Sequence, residues 1–256
     1  MKKILSIISF ISAPFILSMG CKKEAEKIAD FTLVPTSQAL LKINYNSAYN
    51  LNPSVQLKVN DTRVSGLITA RTPFPGGGFN TNGDNRPDYL PVTPGSVKLG
   101  VSIPKKDTPT DSIGLFTTSF NLEANKNYTA HITDTGANTK IVLLTDDISM
   151  PDTGSSRYKF VHLMPNTTAL DLYHGTTLVA SNIPYLSSIV FTRPTFGASQ
   201  VWTVREAGTG VGGPVISTYT SGNTVLIQRG YTVFAIGYKG ATDNTRKPYV
   251  SFLLNK

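Results

Sequence analysis

The stretch Ala169-Leu170-Asp171-Leu172-Tyr173-His174-Gly175-Thr176-Thr177-Leu178-Val179 sets apolar against polar side chains on either side of a single glycine. Alternation at period two marks a half-buried strand, and Gly175 offers the positive φ that a short hairpin turn demands. The segment therefore predicts strand, tight turn, strand. The same plan recurs upstream in Ser54-Val55-Gln56-Leu57-Lys58-Val59-Asn60-Asp61-Thr62-Arg63-Val64, where Asn60-Asp61 tolerate the turn conformation. Leu41-Lys42-Ile43-Asn44-Tyr45 and Val97-Lys98-Leu99-Gly100-Val101 alternate in the same way. Threonine is abundant, and its branched Cβ suits a pleated surface. After residue 30 no window sustains a 3.6-residue period. The chain is predicted to be all-β.

Laid side by side, the halves repeat. Tyr158-Lys159-Phe160-Val161-His162-Leu163 opens the second unit as Leu40-Leu41-Lys42-Ile43-Asn44-Tyr45 opens the first. Late in each unit, Asn127-Tyr128-Thr129-Ala130-His131-Ile132 matches Gly230-Tyr231-Thr232-Val233-Phe234-Ala235. Strand, hairpin and terminal strand, repeated, predict two tandem immunoglobulin-like antiparallel β-sandwich domains, each of roughly 100 residues and about seven strands. They are expected at 38–148 and 156–256, with a linker at 149–155 rich in turn formers. The region 70–95 has no counterpart in the shorter second unit and is expected to be the longest irregular excursion.

Phe160-Val161-His162-Leu163-Met164-Pro165, the block from Leu170 to Pro184 and Tyr231-Thr232-Val233-Phe234-Ala235-Ile236-Gly237 resemble a bacterial secreted family, domain of unknown function 4397. Its pattern is a hairpin of the form hydrophobic-Asp-hydrophobic-Tyr with Asn-Gly, followed by a Tyr-Thr-Val-Phe-Ala strand. His174 stands where Asn is usual, and Gln56 replaces the Asp in the first half. The resemblance is close over 156–256 and divergent over 39–147, as two tandem copies would be. It implies an extracytoplasmic Ig-like sandwich in lipoproteins of Bacteroidota-type bacteria, and no catalytic residues.

The N-terminus gives an address. Lys2 and Lys3 precede an almost uncharged run from Ile4 to Gly20, shorter than a membrane span and interrupted by Pro14. Residues 1–20 are expected to be a signal peptide. Leu17-Ser18-Met19-Gly20-Cys21 resembles a lipobox, although Leu17 lies one position too far from the cysteine. That resemblance implies cleavage before Cys21 and lipidation of its thiol and amine, with 21–37 as a tether and the outer membrane as partner. Two or more acyl chains anchor stably where one does not.

Composition narrows the chemistry. In 256 residues, 16% charged, there is one Cys, which excludes a disulfide framework and zinc sites built on Cys pairs. The formal charge of +8 is scattered, with no Arg-rich helix and no phosphate-cradling glycine loop, so nucleic acid is not an expected partner. His131, His162 and His174 fall in or beside strands, and His131 aligns with Phe234, a packing position. Asp107 and Asp111, like Asp84 and Asp88, fall in loops. No Gly-x-Ser-x-Gly, His-Glu-x-x-His or Walker pattern is present. No cofactor is expected.

One loop stands out, Gly76-Gly77-Gly78-Phe79-Asn80-Thr81-Asn82-Gly83-Asp84-Asn85-Arg86-Pro87-Asp88-Tyr89. Asn80, Asn82, Asp84 and Asp88 place oxygens at alternating positions, as calcium-wrapping loops do, but Asn85 and Pro91 break the EF-hand pattern. Loops at the ends of sandwiches carry recognition, which makes Phe79, Asn82, Asp84 and Tyr89 the candidate contacts for a glycan or protein partner. Trp202, alternating with Val204, is expected in the core. The expected function is a non-catalytic envelope module, binding or structural. The alternative is an extracytoplasmic hydrolase with its site between the domains.

Overall fold

A computed structural model of the protein describes residues 37–194 and 201–256. The expected signal peptide, Cys21 and nearly all of the tether lie outside the described residues. The first unit contains β1 (Ala39–Tyr45), β2 (Gln56–Val59), β3 (Thr62–Arg63), β4 (Thr72–Phe74), β5 (Leu90–Val92), β6 (Gly95–Pro104), β7 (Asp111–Leu122), β8 (Asn127–Thr133) and β9 (Lys140–Asp146). The second contains β10 (Ser155–His162), β11 (Ala169–His174), β12 (Thr177–Pro184), β13 (Ser188–Pro194), β14 (Trp202–Glu206), β15 (Val215–Tyr219), β16 (Gly230–Ile236) and β17 (Tyr249–Leu254). Helical structure among the described residues is confined to single 3₁₀ turns at Gly136–Asn138 and Gly222–Thr224. No described helix is long and apolar enough to cross a membrane.

Each unit is a sandwich, and the two share a topology. Sheet β4-β1-β8-β9, with β5 also on β1, stacks on β3-β2-β6-β7; sheet β13-β10-β16-β17 stacks on β12-β11-β14-β15. Both expected hairpins form. Asn60 and Asp61 turn between β2 and β3 at φ 49° and 64°, and Gly175 turns between β11 and β12 at φ 61°. Between β4 and β5 the chain runs without a named strand over 75–89.

Two expectations are corrected. The sandwiches are not wholly antiparallel, because β1 runs parallel to β8 and β10 parallel to β16. A parallel pair needs a long crossover, and the intervening hairpins of each unit supply it. The repeat also shifts by one residue at its opening strand. Leu40 pairs with Asn127 and Arg157 with Gly230, so Tyr158 corresponds to Leu41 and Lys159 to Lys42. A one-residue slip exchanges the faces of a strand, so only the corrected alignment puts matching residues on matching faces.

Alternation fills two inner cores. Leu41, Ile43, Leu57, Leu99 and Ile132 close the first; Tyr158, Phe160, Leu172, Val233 and Trp202 close the second. A third cluster joins Val161, Phe234, Ile236 and Leu253 to Val142 and Leu144 of β9. The outer faces of the β1 and β10 sheets therefore meet. Every residue of β8 and of β16 is buried, because both faces of these central strands are covered.

A candidate ligand groove between the sandwiches

Where the two sheets meet, the buried layer is partly polar. The Asp146 carboxylate at the end of β9 accepts hydrogen bonds from the Tyr89 hydroxyl (3.1 Å) and the Thr129 hydroxyl, and pairs with Lys159 at 3.2 Å. Lys42, the counterpart of Lys159, donates to the Leu254 carbonyl at 2.7 Å and lies 4.5 Å from the centre of the Tyr89 ring. Burial lowers the Lys42 pKa to about 8, against the opposing pull of Asp146 and Asp88. Asn255 donates to Thr232 at 2.7 Å in the same layer. Buried polar groups with partners fix one geometry, since any other leaves them unsatisfied.

The 75–89 segment is a strap that leaves the first sandwich and grips the second. Phe79 and Phe252 exchange backbone hydrogen bonds of 2.8 and 2.9 Å, adding a rung to the free edge of β17. Asn80 donates to the Val250 carbonyl and accepts from the Ser251 hydroxyl, both at 2.8 Å. Gly77 makes the strap possible. At φ +99° it lies where side chains are disfavoured, and a Cβ there would meet the Arg86 carbonyl oxygen at 2.0 Å.

The residues singled out from sequence fall into different places along this strap. The Phe79 ring packs on the second core, 6.4 Å from Tyr231. Asn80 is engaged with β17 as described, and Tyr89 with Asp146. Asp84 and Asp88 converge on a cation, Arg86, at 2.9 and 3.4 Å. Among the described residues no group of three or more His, Cys, Asp or Glu is placed to hold a metal. Asn82 is exposed and donates to the Ala70 carbonyl at 2.8 Å, which sets it on the wall of a groove.

That groove lies between the sandwiches as two hollows of about 290 and 440 Å³, each walled in part by the β16–β17 connection at 237–248. The smaller is lined by Asn52, Arg71 and Asn82 from one side and by Asn244, Thr245 and Tyr249 from the other. The larger takes Tyr49 and Asp134 from the first sandwich and Tyr238 and Arg246 from the second. The Arg71 guanidinium lies 3.4 Å from the centre of the Tyr249 ring and donates to the Asn80 carbonyl at 2.8 Å. Burial lowers its pKa from the ordinary arginine value. Tyr238 donates to Asp134 at 2.9 Å, and Tyr249 to the Asn244 carbonyl at 2.7 Å. Aromatic rings, amides and cations on a rigid frame suit recognition of a polar ligand. A further hollow of about 550 Å³ beside Pro104–Pro109 is formed by the first sandwich alone.

The histidines are used in packing. His131 is fully buried against Phe234, with Nδ1 2.9 Å from the Asn44 amide. His162 meets the Thr167 carbonyl at 3.0 Å and the Met164 amide at 3.1 Å. His174 stacks on Trp202 at 4.2 Å, and Trp202 is fully buried as expected. Burial lowers the pKa of His131 to about 3 and of His162 and His174 to about 4.

Two sandwiches of one topology, joined through a buried polar layer and flanked by a polar groove, define an all-β tandem-sandwich module. The chain belongs to the family described as Domain of unknown function (DUF4397), whose model matches residues 45–173. The match runs from the end of β1 into β11, so it falls chiefly on the first sandwich rather than on 156–256, where the sequence resemblance is expected to be close. No curated protein matches the chain. Among solved structures, a candidate cell adhesion protein from Bacteroides uniformis is 8% identical with a TM-score of 0.21, covering 86% of this chain and 98% of its own. A leucine-rich repeat protein from Bacteroides thetaiotaomicron is 11% identical with a TM-score of 0.20, covering 72% of this chain and 24% of its own. Both likenesses are too slight to bear on this chain's fold or activity.

Proposed function

We propose that this protein is a non-catalytic cell-envelope lipoprotein that binds a polar ligand, a glycan or a protein segment, in the groove between its sandwiches. The groove carries the reading: tyrosines, asparagines and arginines from both sandwiches converge there, on a frame held by the Asp146 layer and the strap. Preorganised walls lower the ordering cost of binding, and rings with amides and cations serve recognition. Cys21 is the proposed lipid anchor to the outer membrane, and the second sandwich a further copy of the family unit, a reading supported by the common strand order.

A glycan array and a pull-down from envelope extract, with and without Ca²⁺, test the binding. Capture of a ligand that Asn82→Trp abolishes is the expected result, since the indole would fill the smaller hollow. Turnover of any substrate would overturn the non-catalytic class. Fatty-acid labelling tests the anchor: the wild type should label, and a Cys21→Ala protein that still labels would sink it.

A further inference from the structure

We infer that the groove takes an acidic carbohydrate, with the Arg71 guanidinium as the group that reads its carboxylate; the inference rests on the groove being the ligand site. Arg71 is a half-buried cation that makes no ion pair among the described residues. Its Nη2 is spent on the Asn80 carbonyl and its Nε is buried out of a ligand's reach, which leaves Nη1, accessible and without a hydrogen bond, as the group that faces the hollow's contents. Buried charges ordinarily sit beside a counter-charge, and a donor left unpaired costs free energy. A ligand carboxylate would supply what is missing.

The side chain is also held for that task. The Arg71 backbone adopts φ +67°, its N–H donates to the Tyr45 carbonyl at 2.8 Å, and its carbonyl accepts from the Asn82 N–H at 2.8 Å. Stacking on Tyr249 covers one face of the guanidinium, so a planar acceptor must come to its edge, the geometry in which arginine binds carboxylates. Lys247, 5.4 Å from the same ring, adds positive field, whereas Arg246 is neutralised by Asp243 at 2.9 Å. Apart from Ala70, the remaining lining is amide and hydroxyl, from Asn52, Asn82, Asn244 and Thr245. Such a wall matches a hydroxyl-bearing sugar better than an apolar side chain.

The test titrates the full chain, in detergent, with uronate- and sialate-bearing oligosaccharides and with the same oligosaccharides after reduction of their carboxylates to alcohols. The acidic forms should bind at least about tenfold more tightly, as one charge-assisted pair allows. That gap should narrow at about 0.5 M salt. Arg71→Gln should close the gap between acidic and reduced forms, and Lys247→Gln, at an exposed hydrogen bond to Asn244, should narrow it two- to threefold. Equal binding of acidic and reduced forms would overturn the inference and leave the groove standing. Binding of neither would overturn both. An unchanged gap in folded Arg71→Gln, with Trp202 emission as the fold check, would remove Arg71 from the role. Should Arg71→Gln fail to fold, the wild-type comparison and Lys247→Gln decide alone.

Discussion

His131 and Phe234 occupy the same register position in the two sandwiches, and their rings touch, with centroids 5.9 Å apart. When equivalent residues meet each other, the two surfaces are related by a local two-fold, as in an isologous dimer. The contact is self-complementary like a dimer interface, yet its members differ. Phe234 supplies apolar surface, and His131 supplies a titratable ring facing Asn44, with Lys42 and Lys159 adding repulsion against its protonation.

Acid should loosen the fold well above the range in which carboxylates titrate. The three histidines have folded pKa values of about 3, 4 and 4, below the ordinary 6.5, chiefly through burial. The unfolded chain therefore binds more protons between these limits. Their stabilisation is complete above about pH 6.5 and is lost as pH falls toward 4, at about 1.4 kcal/mol per pH unit for each ring. Urea melts between pH 7 and 4 measure the slope. His131→Phe should remove about one proton from it; a flat profile in the wild type would show that the rings are not held neutral by the fold.

Asp146→Ala should cost about 3–5 kcal/mol, the usual consequence of stranding a buried cation. Lys159 would lose its carboxylate, and the Tyr89 and Thr129 hydroxyls would lose their acceptor. Asp146→Asn, which keeps an acceptor, should cost less. Trp202 is the protein's single tryptophan and is buried, so its emission follows the transition. A midpoint within about 0.5 kcal/mol of wild type would mean that the layer contributes no stability.

Gly77→Ala should release the strap. The new methyl group would overlap the Arg86 carbonyl, on a backbone that already disfavours side chains. Hydrogen exchange should quicken at the Phe79 and Phe252 amides, which pair with each other, while the Val233 amide inside β16 stays protected. Unchanged protection at Phe252 would show that β17 does not depend on the strap. Phe79→Ala should weaken the same contact by about 1–2 kcal/mol, less than a fully buried phenylalanine because Phe79 is partly exposed.

What could be read from sequence was what is local. Val97, Leu99 and Val101 announce one buried face, and Asn60-Asp61 and Gly175 announce turns, because both signals are confined to a few neighbouring residues. Register and docking are not local. Lys42 looks like the polar member of an alternating strand, and only a second sheet laid on that face buries it. One signal was present: Tyr231 to Ile236 is apolar on both faces but for Thr232, which is how a strand covered on two sides reads. The groove had no such signal. Asn52, Arg71 and Asn82 meet Asn244 and Tyr249 from the far end of the chain, and Arg71 by itself is indistinguishable from a solvated arginine. Of the residues its long loop singles out, Asn82 stands on the wall of a hollow, whereas Phe79 and Tyr89 turn inward to Phe252 and Asp146.

The parallel pairing of β1 with β8 decides when the first sandwich can be completed. Asn44 and His131 lie 87 positions apart, so the opening strand has no neighbour on that side until the closing hairpin of its unit has been synthesised. The same delay recurs between β10 and β16. Such long loops make collapse slow, because their closure entropy must be met before the contacts repay it. The first sandwich can therefore close only in two stages: β3-β2-β6-β7 pairs as its strands emerge, and the facing sheet waits for β8 and β9, nearly the last residues of the unit.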